Sequence, residues 1–304
     1  MATTDQSSAA KAFLYAFIAN FGIALAKTWA ALLTGSGSLL AEAIHSYADS
    51  GNQILLFLGM RQALTPADRE HPLGYGKLTY FWAFVVALLL FSVGGLFSIY
   101  EGVHKLKQPE PLNAAWVGLL VLAVAIVLEA LSLLGCLREI GKVRGRKSFR
   151  YWLTYTRNAE LVVVLGEDIA AIAGLLLAFV FLGLSVVTGE PTYDAIGSIA
   201  IGVVLVTVSV FIAWRIRSLL VGRSAEPELV ALIDEIIAAD PSTDELLNSI
   251  TLQFGPYVML AAKVRLDADL TVNEAVARIN ALEVRIKQQA PAVRWCFIEP
   301  DVTD

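Results

Sequence analysis

Between Phe13 and Ile216 the chain is a succession of six apolar runs, each about the ~20 residues that an α-helix needs to cross a bilayer. A backbone in hydrocarbon must satisfy its own hydrogen bonds, so open runs of this length can only be helices. The runs cover about Phe13–Leu33, Ser38–Met60, Phe81–Val103, Ala114–Leu137, Leu161–Val187 and Ile196–Ile216. Hydrophobic residues make up 57% of the chain and charged residues 17%, which sets it apart from ordinary soluble composition. The expected fold is an α-helical membrane protein with six transmembrane helices over residues 1–221. A small α+β cytoplasmic domain, of order α-β-β-α-β, is expected over residues 222–304.

The first run is too long for a signal-peptide core and lacks a small-residue cleavage site, so it reads as a retained span. Lysine and arginine then orient the chain. They crowd the second loop (Arg61, Arg69, Lys77), the linker after span four (Arg138 to Arg157) and the segment after span six (Arg215, Arg217, Arg223). The TGSGS turn and the loop LSVVTGEPTYD have none, while the loop after span three is a minor exception with Lys105 and Lys107. Both termini are therefore expected on the cytoplasmic side of a cell (inner) membrane.

After Gly222 the pattern changes. EPELVALIDEIIAAD repeats its apolar residues at helical spacing, and NSITLQFG and YVMLAAKVRLD read as strands around Gly255-Pro256. TVNEAVARINALEVRIKQQA predicts an amphipathic helix opened by a Thr271/Glu274 capping box, and VRWCFIEP a closing strand. The order predicts two helices on one face of a three-stranded sheet.

Polar residues inside the apolar runs carry the chemistry, because ionisable groups are costly in lipid. In span two, LLAEAIHSYADSGNQILLFL, Glu42, His45 and Asp49 share one helix face at i, i+3 and i+7. His45 and Asp49, four apart, can face one cation. That arrangement points to a divalent metal ion, with polar helix–helix glue as the bland reading. Glu167 and Asp168 begin span five. Neighbours on a helix point about 100° apart, so one of them is expected to join a given site. Glu129 stands alone in span four, either as a supplementary ligand or proton carrier or as the partner of a basic or hydroxyl group on a neighbouring helix. Glu42 fits a supporting or proton-relay role, and Asn20 and Asn52 fit ligand orientation or interhelical packing. In the loop ADREHPLGYGK, Asp68 and His71 are three apart; they could bind metal at the entrance or shape a Pro/Gly turn.

Other classes find less support. A net charge of −5 without a basic footprint excludes nucleic-acid binding as a reading. Cys136 and Cys296, with no CxxC, read as ordinary buried thiols. HExxH is absent, which leaves an intramembrane metalloprotease without its motif and an enzyme without a basis.

GSGSLLAEAIHSYAD, HPLGYGK, the six spans and the small C-terminal domain together resemble the cation diffusion facilitator family over nearly the whole chain. AEAIHSYADSGNQ, GEDIAAIAGLLLA, TGEPTYDAIGS and LLVGRSAEP resemble its zinc transporter 9 branch. The resemblance implies a homodimer in the lipid bilayer that moves Zn²⁺, or a related divalent ion, out of the cytosol in exchange for H⁺. It implies a site shared by spans two and five, with His45, Asp49 and Asp168 as ligands and no prosthetic group. The family commonly places a histidine four residues before that aspartate, where this chain has Val164. Glu167, Glu129 or water is then expected to complete the shell. The tail has no histidine; Ala262, Val276 and Phe297 lie near where relatives carry theirs, so dimerisation or regulation is its implied role. Tyr75 likewise stands where some relatives have a loop histidine.

The expected function is proton-coupled efflux of Zn²⁺ by alternating access around the His/Asp site. Fe²⁺, Mn²⁺ or Co²⁺ are alternative cargoes, since histidine with carboxylates selects weakly. A membrane-anchored metal sensor or scaffold is a third reading, which leaves the intramembrane acids unexplained.

Overall fold

A computed structural model describes residues 2–303, with side chains described for 17, 18 and 20–303. The chain divides into two compact units. One takes the chain up to Leu58, then Trp82–Arg146 and Glu160–Arg215; the other takes Gly59–Phe81, Lys147–Ala159 and the chain from Ile216 onward.

The first unit is built from long helices: α1 (Ala2–Thr34), α2 (Gly37–Ala63), α3 (Leu78–Leu89), α4 (Phe97–Lys107), α5 (Ala115–Arg144), α7 (Ala159–Thr188) and α8 (Thr192–Val221). A π-helical stretch, Leu90–Leu96, joins α3 to α4 without a break. Among the described residues, four helices are long and apolar enough to cross a membrane: Leu78–Lys107, α5, α7 and α8. Helix α2, which carries Glu42, His45 and Asp49 along its middle, does not reach that measure. The helices outrun the apolar stretches that announce them, because hydrophobicity marks only the part inside hydrocarbon.

Glycines set one close helix crossing in this unit. A Cβ on Gly202 of α8 would lie 2.7 Å from the Gly95 carbonyl oxygen, and one on Gly102 of α4 would lie 2.7 Å from the Ala195 carbonyl oxygen. Small residues let backbones approach where lipid gives helices no hydrophobic reason to associate.

In the second unit, α9 (Pro227–Ala238), β1 (Glu245–Phe254), β2 (Tyr257–Arg265), α10 (Val272–Gln289) and β3 (Val293–Pro300) follow the expected order. The sheet runs β1-β2-β3, with β1–β2 antiparallel through a tight hairpin and β2–β3 parallel, crossed over by α10. Along β2 burial alternates: Val258, Leu260, Ala262 and Val264 are buried. They meet Ile233 and Ile237 of α9, Leu282 and Ile286 of α10, and Val293 and Cys296 of β3. Thr271 and Glu274 form a complete capping box at the start of α10. Both cysteines are buried and free, and burial pushes the Cys296 thiol up to about 11.

The basic linker after span four is partly helical: α5 continues to Arg144, and α6 (Phe149–Tyr155) forms behind a Ser148 N-cap that accepts from the Tyr151 N–H. Arg157 then donates to the carbonyls of Ser224 (2.7 Å) and Ala225 (2.8 Å), and Lys147 lies 2.9 Å from Glu228. The basic residues of this stretch are thus partly structural, tying α6 to the segment that leads into α9.

Candidate metal-ion site

Helices α1, α2, α5 and α7 surround a cavity of about 60 Å³ in the first unit. That is room for an ion with several waters. Asp49 of α2, Glu129 of α5 and both Glu167 and Asp168 of α7 line it, together with Asn20, Ser46, Gln53, Ser132 and Val164. The expectation that only one of the adjacent acids reaches the site is corrected. The cavity is wide enough to take both, since Glu167 turns toward α2, where the Asn52 amide donates to it at 2.6 Å, and Asp168 turns toward α5, where the Ser132 hydroxyl donates at 3.2 Å.

His45 is fully buried one turn from Asp49 and does not itself line the cavity. Its Nε2 stands 3.4 Å from Asp49 Oδ2. Its Nδ1 faces the π-helical stretch, 3.9 Å from where a Cβ on Gly94 would lie. Glu42 is engaged elsewhere, 3.1 Å from the Lys27 ammonium of α1.

The electrostatics of this region are unusual for a protein interior. Buried polar atoms are normally hydrogen-bonded, since each orphan costs roughly 1–3 kcal/mol. Here both ring nitrogens of His45, Asp49 Oδ1, Asp168 Oδ2, Asn52 Oδ1 and Gln53 Oε1 are buried without a hydrogen-bond partner. All of the oxygens are acceptors, and a neutral imidazole offers a lone pair as well. Such a set is complementary to a cation. Among the described residues, no three His, Cys, Asp or Glu side chains stand close enough to form a ready-made ligand group.

Asp68 and His71 belong to the second unit. Asp68 organises its own loop there: its Oδ1 accepts from the backbone N–H of Glu70 (2.9 Å) and His71 (2.7 Å), and its Oδ2 from the Tyr75 hydroxyl (2.6 Å). These bonds, the Tyr75 one foremost, hold its carboxylate below the usual range. The turn-shaping alternative therefore has a geometric basis.

Sequence reasoning passed over Ser46, Gln53 and Ser132. A signal existed: Gln53 lies four residues after Asp49, and Ser132 three after Glu129, each on the face of the acid it follows.

The profile of the cation efflux transmembrane domain matches residues 13–221. The chain is 33% identical over 259 residues to the mitochondrial proton-coupled zinc antiporter SLC30A9 of Xenopus laevis, covering 84% of this chain and 45% of that protein. Its human counterpart is 32% identical over 255 residues, covering 83% and 44%. The cation-efflux pump FieF of Klebsiella pneumoniae is 27% identical over 271 residues, covering 88% and 84%. The chain spans about half the length of the SLC30A9 relatives that it matches.

Proposed function

Since the chain belongs to the cation efflux family, we propose that it is an integral membrane transporter, not an enzyme, which moves a divalent metal cation out of the cytosol in exchange for protons. Zn²⁺ is the leading cargo, as in the names of the antiporter relatives. The observation that carries the reading is the set of unpartnered buried acceptors beside the cavity, on His45, Asp49 and Asp168.

His45, Asp49 and Asp168 offer one nitrogen and two carboxylates, a set that suits tetrahedral zinc. Glu167, Glu129 or water would supply the fourth position left by Val164. Among the described residues these groups do not form a close-set cluster, so holding one ion requires their side chains to draw together. Ligands must shed protons to bind, so loading releases H⁺ and unloading takes it up. Asn52 fixes the Glu167 carboxylate, and Ser132 that of Asp168. An inward-open and an outward-open state would alternate about this point. The same donors would also accept Fe²⁺, Mn²⁺ or Co²⁺.

The transport part in this proposal is residues 1–221 with six spans, α1 and α2 joining the four more apolar ones. Both termini lie on the cytoplasmic side, and residues 222–304 serve homodimerisation or regulation. A bacterial-type inner membrane is the proposed location. The test is Zn²⁺ flux in proteoliposomes, with and without a pH gradient, for the native chain and Asp49→Ala. The native chain is expected to move Zn²⁺ and the variant to lose at least tenfold of the rate, about 1.4 kcal/mol of barrier. No Zn²⁺ movement by the native chain under any gradient would remove the proposal.

A further inference from the structure

The transport reading makes no use of the buried charge of Lys27. Lys27 lies in the middle of α1, with no exposed surface, among helices that meet lipid. Its ammonium contacts Glu42 Oε2 at 3.1 Å and donates to the Ser46 hydroxyl oxygen at 2.8 Å. Ser46 lines the cavity, so Lys27 stands directly behind the cavity wall. The other oxygen of Glu42, Oε1, has no hydrogen-bond partner and is pressed against α7 at Gly174, where any Cβ would collide with it. Glu42 is thus held between α1 and α7, one turn from His45, with its charge matched by a lysine.

We propose that the Lys27–Glu42 pair is a charge-setting element of the cation site: Lys27 cancels the Glu42 carboxylate and keeps it out of the ligand set. This rests on the cation-transport reading above. A buried carboxylate one turn from His45 would otherwise deepen the negative potential felt by a divalent ion, and in a poorly screened interior that effect is large. Too deep a well binds cargo but does not release it. Lys27 also occupies a lone pair of Ser46, which leaves that hydroxyl a poorer metal ligand. Both effects set how tightly the ion is held, whereas a clamp between α1 and α2 would set only how stable the bundle is.

The experiment measures Zn²⁺ flux in proteoliposomes for the native chain, Lys27→Met, Glu42→Gln and the double variant. Lys27→Met leaves Glu42 uncompensated, so KM is expected to fall by about fivefold or more, with slower turnover. Glu42→Gln leaves Lys27 uncompensated, so KM is expected to rise by a similar factor. The double variant, which removes both charges, is expected to bring KM back toward the native value. Single variants that shift KM in the same direction, or leave it unmoved, would overturn the inference and leave only a clamp. If Lys27→Met does not fold, the nearly isosteric Glu42→Gln decides alone, by the sign of its KM shift. A native chain that moves no Zn²⁺ ends the transport reading instead, so the two failures are separable.

Discussion

The carboxylate of Asp194, at the start of α8, caps the first turn of α2, accepting from the Gly37 backbone N–H at 2.6 Å. It also accepts from the Ser36 hydroxyl (2.6 Å), the Ser38 hydroxyl and the Ser38 N–H (3.4 Å), and it is almost wholly buried. Helix N-termini leave backbone N–H groups unsatisfied and carry partial positive charge, and an anion answers both needs. Asp194→Ala is therefore expected to cost about 2 kcal/mol or more of stability, because it orphans several buried donors at once. Asp194→Asn keeps one acceptor and should cost less. Thermal unfolding of the purified full chain in detergent reads both, and equal midpoints for native and Asp194→Ala would remove the cap from the account.

Val164 lines the cavity one helical turn before Asp168. An imidazole placed there would add a nitrogen to a set that has only His45. Val164→His is expected to tighten Zn²⁺, lowering KM by about tenfold and favouring Zn²⁺ over Mn²⁺, since imidazole suits zinc and oxygen ligands suit manganese. Flux of the two metals in parallel gives the answer. An unchanged ratio would mean that the ion does not pass beside α7 at this level.

The sequence made the acids visible and left their pairings dark. His45, Asp49, Glu129 and Asp168 stand out because a charge in an apolar run is conspicuous by itself. The tail was equally readable, as alternation along β2 and the Thr271/Glu274 spacing are local patterns. The bond from Asn52 to Glu167 spans 115 residues, and that from Ser36 to Asp194 spans 158. Nothing local announces such contacts; they exist only once α2, α7 and α8 are packed. Lys27 is the sharpest case. Its place inside the first apolar run is plain from the sequence, but its partner Glu42 belongs to the face of His45 and Asp49, and helical spacing cannot say that a carboxylate on that face is already taken.

The segment Gly59–Phe81 meets the β1–β2 hairpin through Gly76 and Gly255 within the second unit. A Cβ on Gly76 would lie 2.6 Å from the Phe254 carbonyl oxygen, and one on Gly255, whose φ is +62°, would lie 2.6 Å from the Gly76 carbonyl oxygen. The Tyr80 hydroxyl donates to the Gly255 carbonyl at 3.1 Å, and the Lys77 ammonium lies 5.2 Å from the centre of the Phe254 ring. Gly76→Ala must push two backbones apart and is expected to cost about 1–3 kcal/mol. Gly255→Ala adds about 1–2 kcal/mol for a left-handed backbone carrying a side chain. Limited proteolysis of the full chain checks this: both variants should be cut faster between Gly59 and Phe81, and native-like resistance would contradict the close approach.

At the start of α10, Thr271 and Glu274 hold each other. The Thr271 hydroxyl accepts from the Glu274 N–H at 3.4 Å, and the Glu274 carboxylate accepts from the Thr271 N–H at 2.9 Å and from its hydroxyl at 2.7 Å. These bonds, the hydroxyl one first, lower the Glu274 pKa from its usual 4.5. A carboxyl whose folded pKa is depressed contributes stability above its unfolded pKa and loses that contribution as pH falls through the folded value. The carboxylate half of the cap is therefore complete at neutral pH and is lost only in acid below the ordinary glutamate range. Thr271→Ala removes both hydroxyl contacts and should speed amide exchange in the first turn of α10 at neutral pH. The difference between native and variant should shrink once Glu274 is protonated, because the bond from the Thr271 hydroxyl to the carboxylate is then weakened, while the hydroxyl still accepts from the Glu274 N–H. Exchange of the full chain, compared between the two at each pH, cancels the intrinsic pH dependence of the chemistry. A difference that stays constant into strong acid would mean that the carboxylate has no part in the cap.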